Sequence, residues 1–220
     1  MNQKKTSNPL KIHLGCGKNA LGGFLNFDNN IFLIFKFIPF IENFLGFFNF
    51  IPKWFCEFIT TSKRKNIKYC DVSKKLPFKD STVDLIYSCH MLEHLDKNET
   101  RTFFNESFRV LKPNGLMRIV VPDFQRLVDN YKFDRDVDKF VYDSCLVGKK
   151  PKTLIKKLQY LFQGHGWHHQ MFNKDSLSIF KKLKFSKVEL VKAGKTKINF
   201  STSIDLNERK DDSLYFEFTK

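Results

Sequence analysis

Short, nearly continuous apolar runs alternate with amphipathic stretches along most of this chain, and each run has the length of a strand. "LKIHLG" at 10–15, "FLNFD" at 24–28, "NIKYC" at 66–70, "VDLIYS" at 83–88 and "LMRIVVP" at 116–122 predict five strands in order, apolar enough to be buried on both faces. Between the fourth and fifth the period changes. Asp96 and Glu99 form a capping box, Phe104, Phe108 and Leu111 follow at i, i+4 and i+7, and "KPNG" at 112–115 ends the helix with turn residues. Further on, "TLIKKLQYLF" and "DSLSIFKKL" read as helices, and "SKVELVKA" and "SLYFEFTK" as closing strands. Strands alternating with helices predict an α/β fold around a mostly parallel sheet. No repeat or low-complexity linker divides residues 1–220, so one domain is expected.

Residues 31–60 break this rhythm. Ten of these thirty residues are phenylalanine, yet Lys36, Glu42 and Lys53 cut the segment into pieces far shorter than the ~20 apolar residues a spanning helix needs. Pro39 and Pro52 predict two or three short helices with corners between them. Two uses compete: a cap that packs on the sheet and walls a substrate pocket, or a surface that dips into a bilayer interface.

Composition sharpens this only in part. A formal charge of +15 favours anionic partners, whether nucleic acid, an acidic membrane surface, or a phosphorylated or acidic-sugar substrate, without choosing among them. The five cysteines are odd in number and scattered without a CxxC pair, which argues against both a disulfide framework and a zinc knuckle. The polar start, "MNQKKTSNPLKI", lacks the apolar stretch of a signal peptide, so a cytoplasmic location is expected, with peripheral membrane contact through 31–60 as its variant.

The chemistry begins in "KIHLGCGKNALGGFLNFD" at 11–28. Glycines at a strand-to-helix turn let the backbone approach a ligand closely, and an acid ending the next strand can accept hydrogen bonds from both ribose hydroxyls. Gly15, Gly17 and Asp28 therefore predict a nucleoside-bearing cofactor. The dinucleotide fingerprint GxGxxG is absent, and the interval from Gly17 to Asp28 is shorter than the usual gap of about 20 residues, which disfavours a pyrophosphate-bearing one.

"LGCGKNALGGFLNFD", "YCDVSKKLPFKDSTVDLIYSCHMLEHL" and "FRVLKPNGLMRIVVPDF", in that order, resemble the successive motifs of class I S-adenosylmethionine-dependent methyltransferases. More narrowly they resemble a small bacterial subgroup associated with surface-polysaccharide synthesis, and "GHGWHHQMFNKDSL" and "ERKDDSLYFEFTK" continue the likeness. The resemblance implies a Rossmann-like fold with a seven-stranded, mostly parallel sheet, helices on both faces and the Phe-rich 31–60 as a helical insertion. It places Gly15, Cys16 and Gly17 beneath the amino-acid and ribose portions of S-adenosylmethionine, and Asp28 on the ribose hydroxyls. Asp71 would receive the adenine amino group with Val72 beside the ring, and Ser88 and His90 would line the methionine end. As a side chain, Cys16 reads as a small residue filling a tight turn. One departure is His13, where many relatives carry an acid or asparagine; an imidazole there meets the cofactor's ammonium group only as a neutral acceptor.

Methyl transfer from a sulfonium needs an acceptor held in line in a dry pocket, and a hydroxyl acceptor benefits from a base. The resemblance sets His168, in "HHQMF", on a recurring histidine, making it the first candidate for base or substrate ligand, with His169 and His90 next. His94, in "LEHL", reads as a packing residue. His165, His168 and His169 offer imidazoles without further metal donors nearby, so no metal is expected. Arg209, Asp205 and Tyr215 are further candidate acceptor contacts. The resemblance makes the acceptor a sugar or glycan-precursor hydroxyl. Alternatives are a lipophilic, quinone-type molecule, which the phenylalanines would suit, and, more weakly, RNA, which lacks the Asn/Asp-Pro-Pro-aromatic signature after the fourth strand. A non-enzymatic interaction module on the same fold is the remaining alternative.

Overall fold

The five apolar runs form five parallel strands. A computed structural model describes residues 8–38, 53–146, 157 and 167–220. In it, β1 (Lys11–Leu14) pairs in parallel with both β2 (Leu25–Asp28) and β4 (Val83–Cys89), while β3 (Lys68–Tyr69) extends β2 and β5 (Leu111–Pro122) extends β4. β7 (Ser213–Thr219) runs antiparallel between β5 and β6 (Lys187–Val191), giving the order β3-β2-β1-β4-β5-β7-β6. The central strands are buried as their unbroken apolar pattern requires: Ile12, Leu14, Val83, Leu85, Ile86, Met117 and Val121 all lie in the core.

Two short helices lead into the chemistry of the chain. α1 (Lys53–Arg64) precedes β3, and α2 (Lys97–Val110) connects β4 to β5. The capping box of α2 forms as expected: Asp96 Oδ1 accepts from the N–H groups of Asn98 and Glu99, and the Asp96 N–H donates to Glu99 Oε2 at 2.8 Å. Phe104 then packs its ring on Phe180, Phe185 and Phe218, tying α2 to α5 (Ser176–Phe180) and to the antiparallel edge of the sheet. Two helices that the apolar pattern did not announce, α3 (Phe124–Asp134) and α4 (Val137–Asp143), follow β5. Neither contains a fully buried residue, so neither has the apolar stripe that periodicity detects.

"KPNG" does end α2, but its residues lie within β5. Val83 pairs with Leu111 before a register slip and Leu85 with Leu116 after it, so the turn residues form a bulge, with Asn114 in the left-handed region at φ 62°. In the Phe-rich segment, a 3₁₀ turn over Ile31–Phe37 and α1 pack against each other and against the loop after β1, around Leu33, Phe58, Ile59, Ile67 and Cys16. Pro39 and Pro52, and all but Lys157 of the "TLIKKLQYLF" helix, lie outside the described residues. Among the described residues no helix is long and apolar enough to cross a membrane.

One ion pair is built into the core. Arg118 on β5 and Glu217 on β7 face each other at 2.7 Å, 0% and 1% exposed as side chains. Lys195 and Leu206 offer carbonyls to the guanidinium, while Thr196 Oγ1 and the Lys197 N–H donate to the Glu217 carboxylate, so the loop between β6 and β7 is stitched to the sheet. Breaking such a pair from one side strands a buried charge. Glu217→Ala should cost ~3–5 kcal/mol in urea unfolding, against ~1 kcal/mol for the solvent-side cap variant Asp96→Ala.

Candidate active site

The turn after β1 follows from its two glycines. Gly15 and Gly17 take φ +70° and +50°, a region open to glycine at no steric cost. A Cβ on Gly15 would fall 2.4 Å from Met91 Cγ, whereas a Cβ on Gly17 would meet nothing within 4 Å. The turn is therefore packed from behind at Gly15 and open at Gly17. The Gly17 N–H donates to Asp28 Oδ2 at 2.8 Å and the Asn30 N–H to Oδ1 at 2.9 Å, which fixes the carboxylate at the end of β2 beside the glycine turn. Burial pushes the Asp28 pKa up, against the two backbone bonds that favour the charge. Each carboxylate oxygen keeps a second acceptor site for a hydroxyl.

Asp71, directly after β3, accepts from the Ser73 N–H and hydroxyl and pairs with Lys74 at 3.1 Å. Burial pushes its carboxyl up, but these partners outweigh burial and hold it below the usual range. Val72 beside it is buried. At the end of β4, Ser88 is fully buried, its Oγ without a partner among the described residues. His13 on β1 is buried next to the Tyr87 ring, its Nδ1 likewise unpaired, and burial lowers its pKa to about 4, so the imidazole is neutral. An open glycine turn, a fixed acid with spare acceptor sites and unpaired buried polar atoms on β1 and β4 fit an adenosine with a polar amino-acid end.

Next to this edge lies a cavity of about 890 Å³ between the ends of β4 and β5 and helices α3 and α4. His90, Glu93, His94, His168, Arg209 and Asp212 all reach it. His90 follows β4 in the left-handed region at φ 50°, an uncommon conformation for a side-chain-bearing residue, and its N–H donates to the Val120 carbonyl. A 3₁₀ turn, Leu92–His94, comes next. The "HHQMF" loop is sewn onto that turn. The N–H groups of His169 and Gln170 both donate to the Glu93 carbonyl, and Gln170 Nε2 donates to Leu95 O and Thr100 Oγ1. Phe172 closes the loop by bridging to Asp123 after β5.

Two of the three sequence-nominated histidines, His168 and His90, thus face the cavity, while His169 is exposed and does not line it. Burial, aided by Arg209 at His90 and by His94 at His168, lowers both pKa values to about 4, so both rings are neutral at pH 7. Ser213 donates its hydroxyl proton to Asp212 Oδ1 at 2.6 Å, so His90 Nε2, 2.7 Å from Ser213 Oγ, must carry the proton of that contact, leaving Nδ1 as a free lone pair. Arg209 pairs with Asp212 at the rim, whereas Asp205 caps a turn and Tyr215 donates to the Glu208 carbonyl. His94 does more than pack, since it turns toward His168. Glu93 and Asp212 were missed. For Glu93 the signal was present, an acid flanked by histidines at −3 and +1 in "HMLEH".

Asp28→Ala should weaken S-adenosylmethionine binding in calorimetry by more than ~1 kcal/mol, the worth of a charge-assisted hydrogen bond. Unchanged affinity would free Asp28 of the ribose role.

A family model described as "Methyltransferase domain" matches residues 56–119, which run from α1 through the β4 loop into β5. No curated protein matches the chain. Among solved structures, an S-adenosylmethionine-dependent methyltransferase, possible histamine N-methyltransferase, from Thermotoga maritima superposes with a TM-score of 0.51 at 11% identity, over 98% of this chain and 84% of that one. An S-adenosylmethionine-dependent methyltransferase from Archaeoglobus fulgidus gives 0.50 at 14% identity over 96% and 86%, and the PH0226 protein from Pyrococcus horikoshii 0.50 at 17% over 98% and 83%. At such identities the superpositions show the fold, and the matched domain supplies the activity. The chain has the Rossmann-like methyltransferase fold, and its residues 56–119 match a methyltransferase domain, which supports an S-adenosylmethionine-dependent methyltransferase activity.

Proposed function

We propose that the enzyme methylates a hydroxyl of a small polar acceptor, a sugar or glycan precursor, seated in the cavity between β4, β5, α3 and α4. The supporting observation is the convergence of His90 and His168 on that cavity at the strand end where the glycine turn and Ser88 lie. When bound, S-adenosylmethionine supplies an electrophilic methyl group on sulfur. The acceptor oxygen would take that methyl group, with sulfur keeping the electron pair of the broken bond, and His90 would accept the hydroxyl proton at its free Nδ1 lone pair. His168, neutral and facing the same space, orients the hydroxyl. The +15 charge of the chain would draw in an anionic acceptor such as a nucleotide sugar or a lipid-linked pyrophosphate, while the cavity lining itself, with Asp123, Asp138, Asp143, Asp211 and Asp212 against Arg126 and Arg209, suits the hydroxyl-bearing end of that acceptor.

We assign the exposed face of the 3₁₀ turn to peripheral contact with an anionic membrane, where a lipid-linked acceptor would be met. Ile34 and Phe37 are 65% and 76% exposed there, with Lys36 between them, and no described residue of 31–60 lines the cavity. The pocket-cap role therefore finds no support among the described residues.

Incubation with labelled S-adenosylmethionine and fractionated bacterial extract should place label in glycan or nucleotide-sugar material; label in quinones or RNA would overturn the acceptor class. His168→Ala should lower turnover at least tenfold while leaving S-adenosylmethionine affinity within twofold. Sedimentation with anionic vesicles should be salt-sensitive and reduced by Phe37→Ser; failure to pellet at low salt would remove the membrane contact.

A further inference from the structure

Among the described residues, Glu93 is a buried acid left without a hydrogen-bond partner. Its side chain is 1% exposed, and neither carboxylate oxygen has a hydrogen-bond partner among the described residues. A buried carboxylate in that state costs several kcal/mol unless something pairs with it. Arg118 and Glu217 show how this chain satisfies a buried acid when the partner is a side chain. At Glu93 the neighbours are imidazoles: Oε1 lies 3.9 Å from His168 Nε2 and 3.6 Å from His90 Nδ1. One donor atom each from Glu93, His94 and His168 falls within a span of 4.8 Å.

Backbone contacts set the two rings. His94 Nδ1 lies 3.1 Å from the Trp167 carbonyl, which only a protonated nitrogen can satisfy, so His94 keeps its lone pair on Nε2. The His168 ring is hydrogen-bonded to the Ser144 backbone, while its Nε2 points to Glu93. A backbone carbonyl that holds one ring nitrogen fixes the tautomer and the ring orientation, as the outer partners of metal-binding histidines do. The turn and the loop are also fixed to each other, through the Glu93 carbonyl that accepts the N–H groups of His169 and Gln170. The three side chains do not pair with one another: His168 Nε2 stands 3.9 Å from Glu93 Oε1, beyond hydrogen-bond reach. What they share is lone pairs.

We infer that Glu93, His94 and His168 form a binding site for a divalent transition-metal cation, opening onto the acceptor cavity. Two imidazoles and one carboxylate suit a borderline cation such as Zn²⁺, accept the harder Mn²⁺ as well, and leave positions free for a substrate oxygen. Mg²⁺ prefers oxygen donors and holds its waters, so it is a poor match. Such a cation would neutralise Glu93 and, resting here on the proposed hydroxyl methylation, would bind the acceptor oxygen and ease loss of its proton toward His90. His168 then orients the acceptor through the cation.

The test is calorimetric titration of the chelator-stripped full chain with ZnCl₂ and MnCl₂, with MgCl₂ for comparison. One equivalent of Zn²⁺ or Mn²⁺ should bind, with Mg²⁺ at least tenfold weaker. Glu93→Gln and His168→Gln, each checked for folding by circular dichroism, should weaken binding ~100-fold or more, whereas His169→Ala on the exposed neighbour should not change it. Absence of a one-equivalent site in the wild type, or binding equally tight in the Glu93 and His168 variants, overturns the proposal. Should those variants fail to fold, electron spin echo spectra of the Mn²⁺-loaded wild type decide: imidazole-nitrogen coupling supports the site and its absence removes it. A chain that binds the cation yet methylates no hydroxyl would overturn the acceptor proposal and leave this site standing.

Discussion

The parallel pairing of β1 on both sides, with β2 on one edge and β4 on the other, is the constraint from which the site follows. Because the chain leaves β1 toward β2 and later returns to its opposite edge, the loops after β1 and β4 emerge at the same end of the sheet and diverge there, opening a crevice. Gly15, Gly17, Asp28, Ser88 and His90 all sit at that end. None of them needs to be near another in sequence, and a sheet whose β4 paired elsewhere would scatter them. The burial of β1, β4 and β5 on both faces makes this pairing costly to alter, since a one-residue slip would rotate every side chain to the opposite face.

What could be read from the sequence and what could not divide along the same physical line. β1, β4, β5 and β7 were legible because strands buried on both faces are apolar throughout, and the α2 cap because Asp96 and Glu99 act locally. α3 and α4 were not, because a helix that buries no residue completely carries no stripe. At the site, the glycine turn with Asp28 was visible as a short-range motif. Glu93 stood out only as an acid between two histidines in "HMLEH"; its burial was not legible, because desolvation is set by elements distant in sequence, among them the 167–172 loop whose His169 and Gln170 N–H groups bond its carbonyl. His94, read as packing, turned out to be oriented by a carbonyl 73 residues away for the same reason.

Two buried carboxylates show how differently one fold can treat the same group. Glu217 meets a guanidinium, a hydroxyl and a backbone N–H, and every partner belongs to an element it must hold, so its charge serves as a rivet for the β6–β7 loop. Glu93 meets neutral rings, and burial raises its pKa to about 7. In the first, the carboxylate finds its partners within the chain. The second is a set of acceptors facing inward at the edge of a cavity, and proteins tolerate such frustration mainly where a bound species resolves it.

The Gly15–Met91 contact carries a lesson for interpreting distant sequences of this kind. Met91 fills the space where a β-carbon on residue 15 would stand, so glycine is demanded there by the packing of the β4 loop as well as by any nucleoside in front of it. Residue 17 has only open space and its own backbone conformation to answer to. In a descendant that had abandoned group transfer, the first glycine would persist as a mason's joint between two loops while the second drifted. Retention of glycine at 15 therefore reports on loop packing, whereas at 17 only the left-handed backbone and the open space before it ask for glycine.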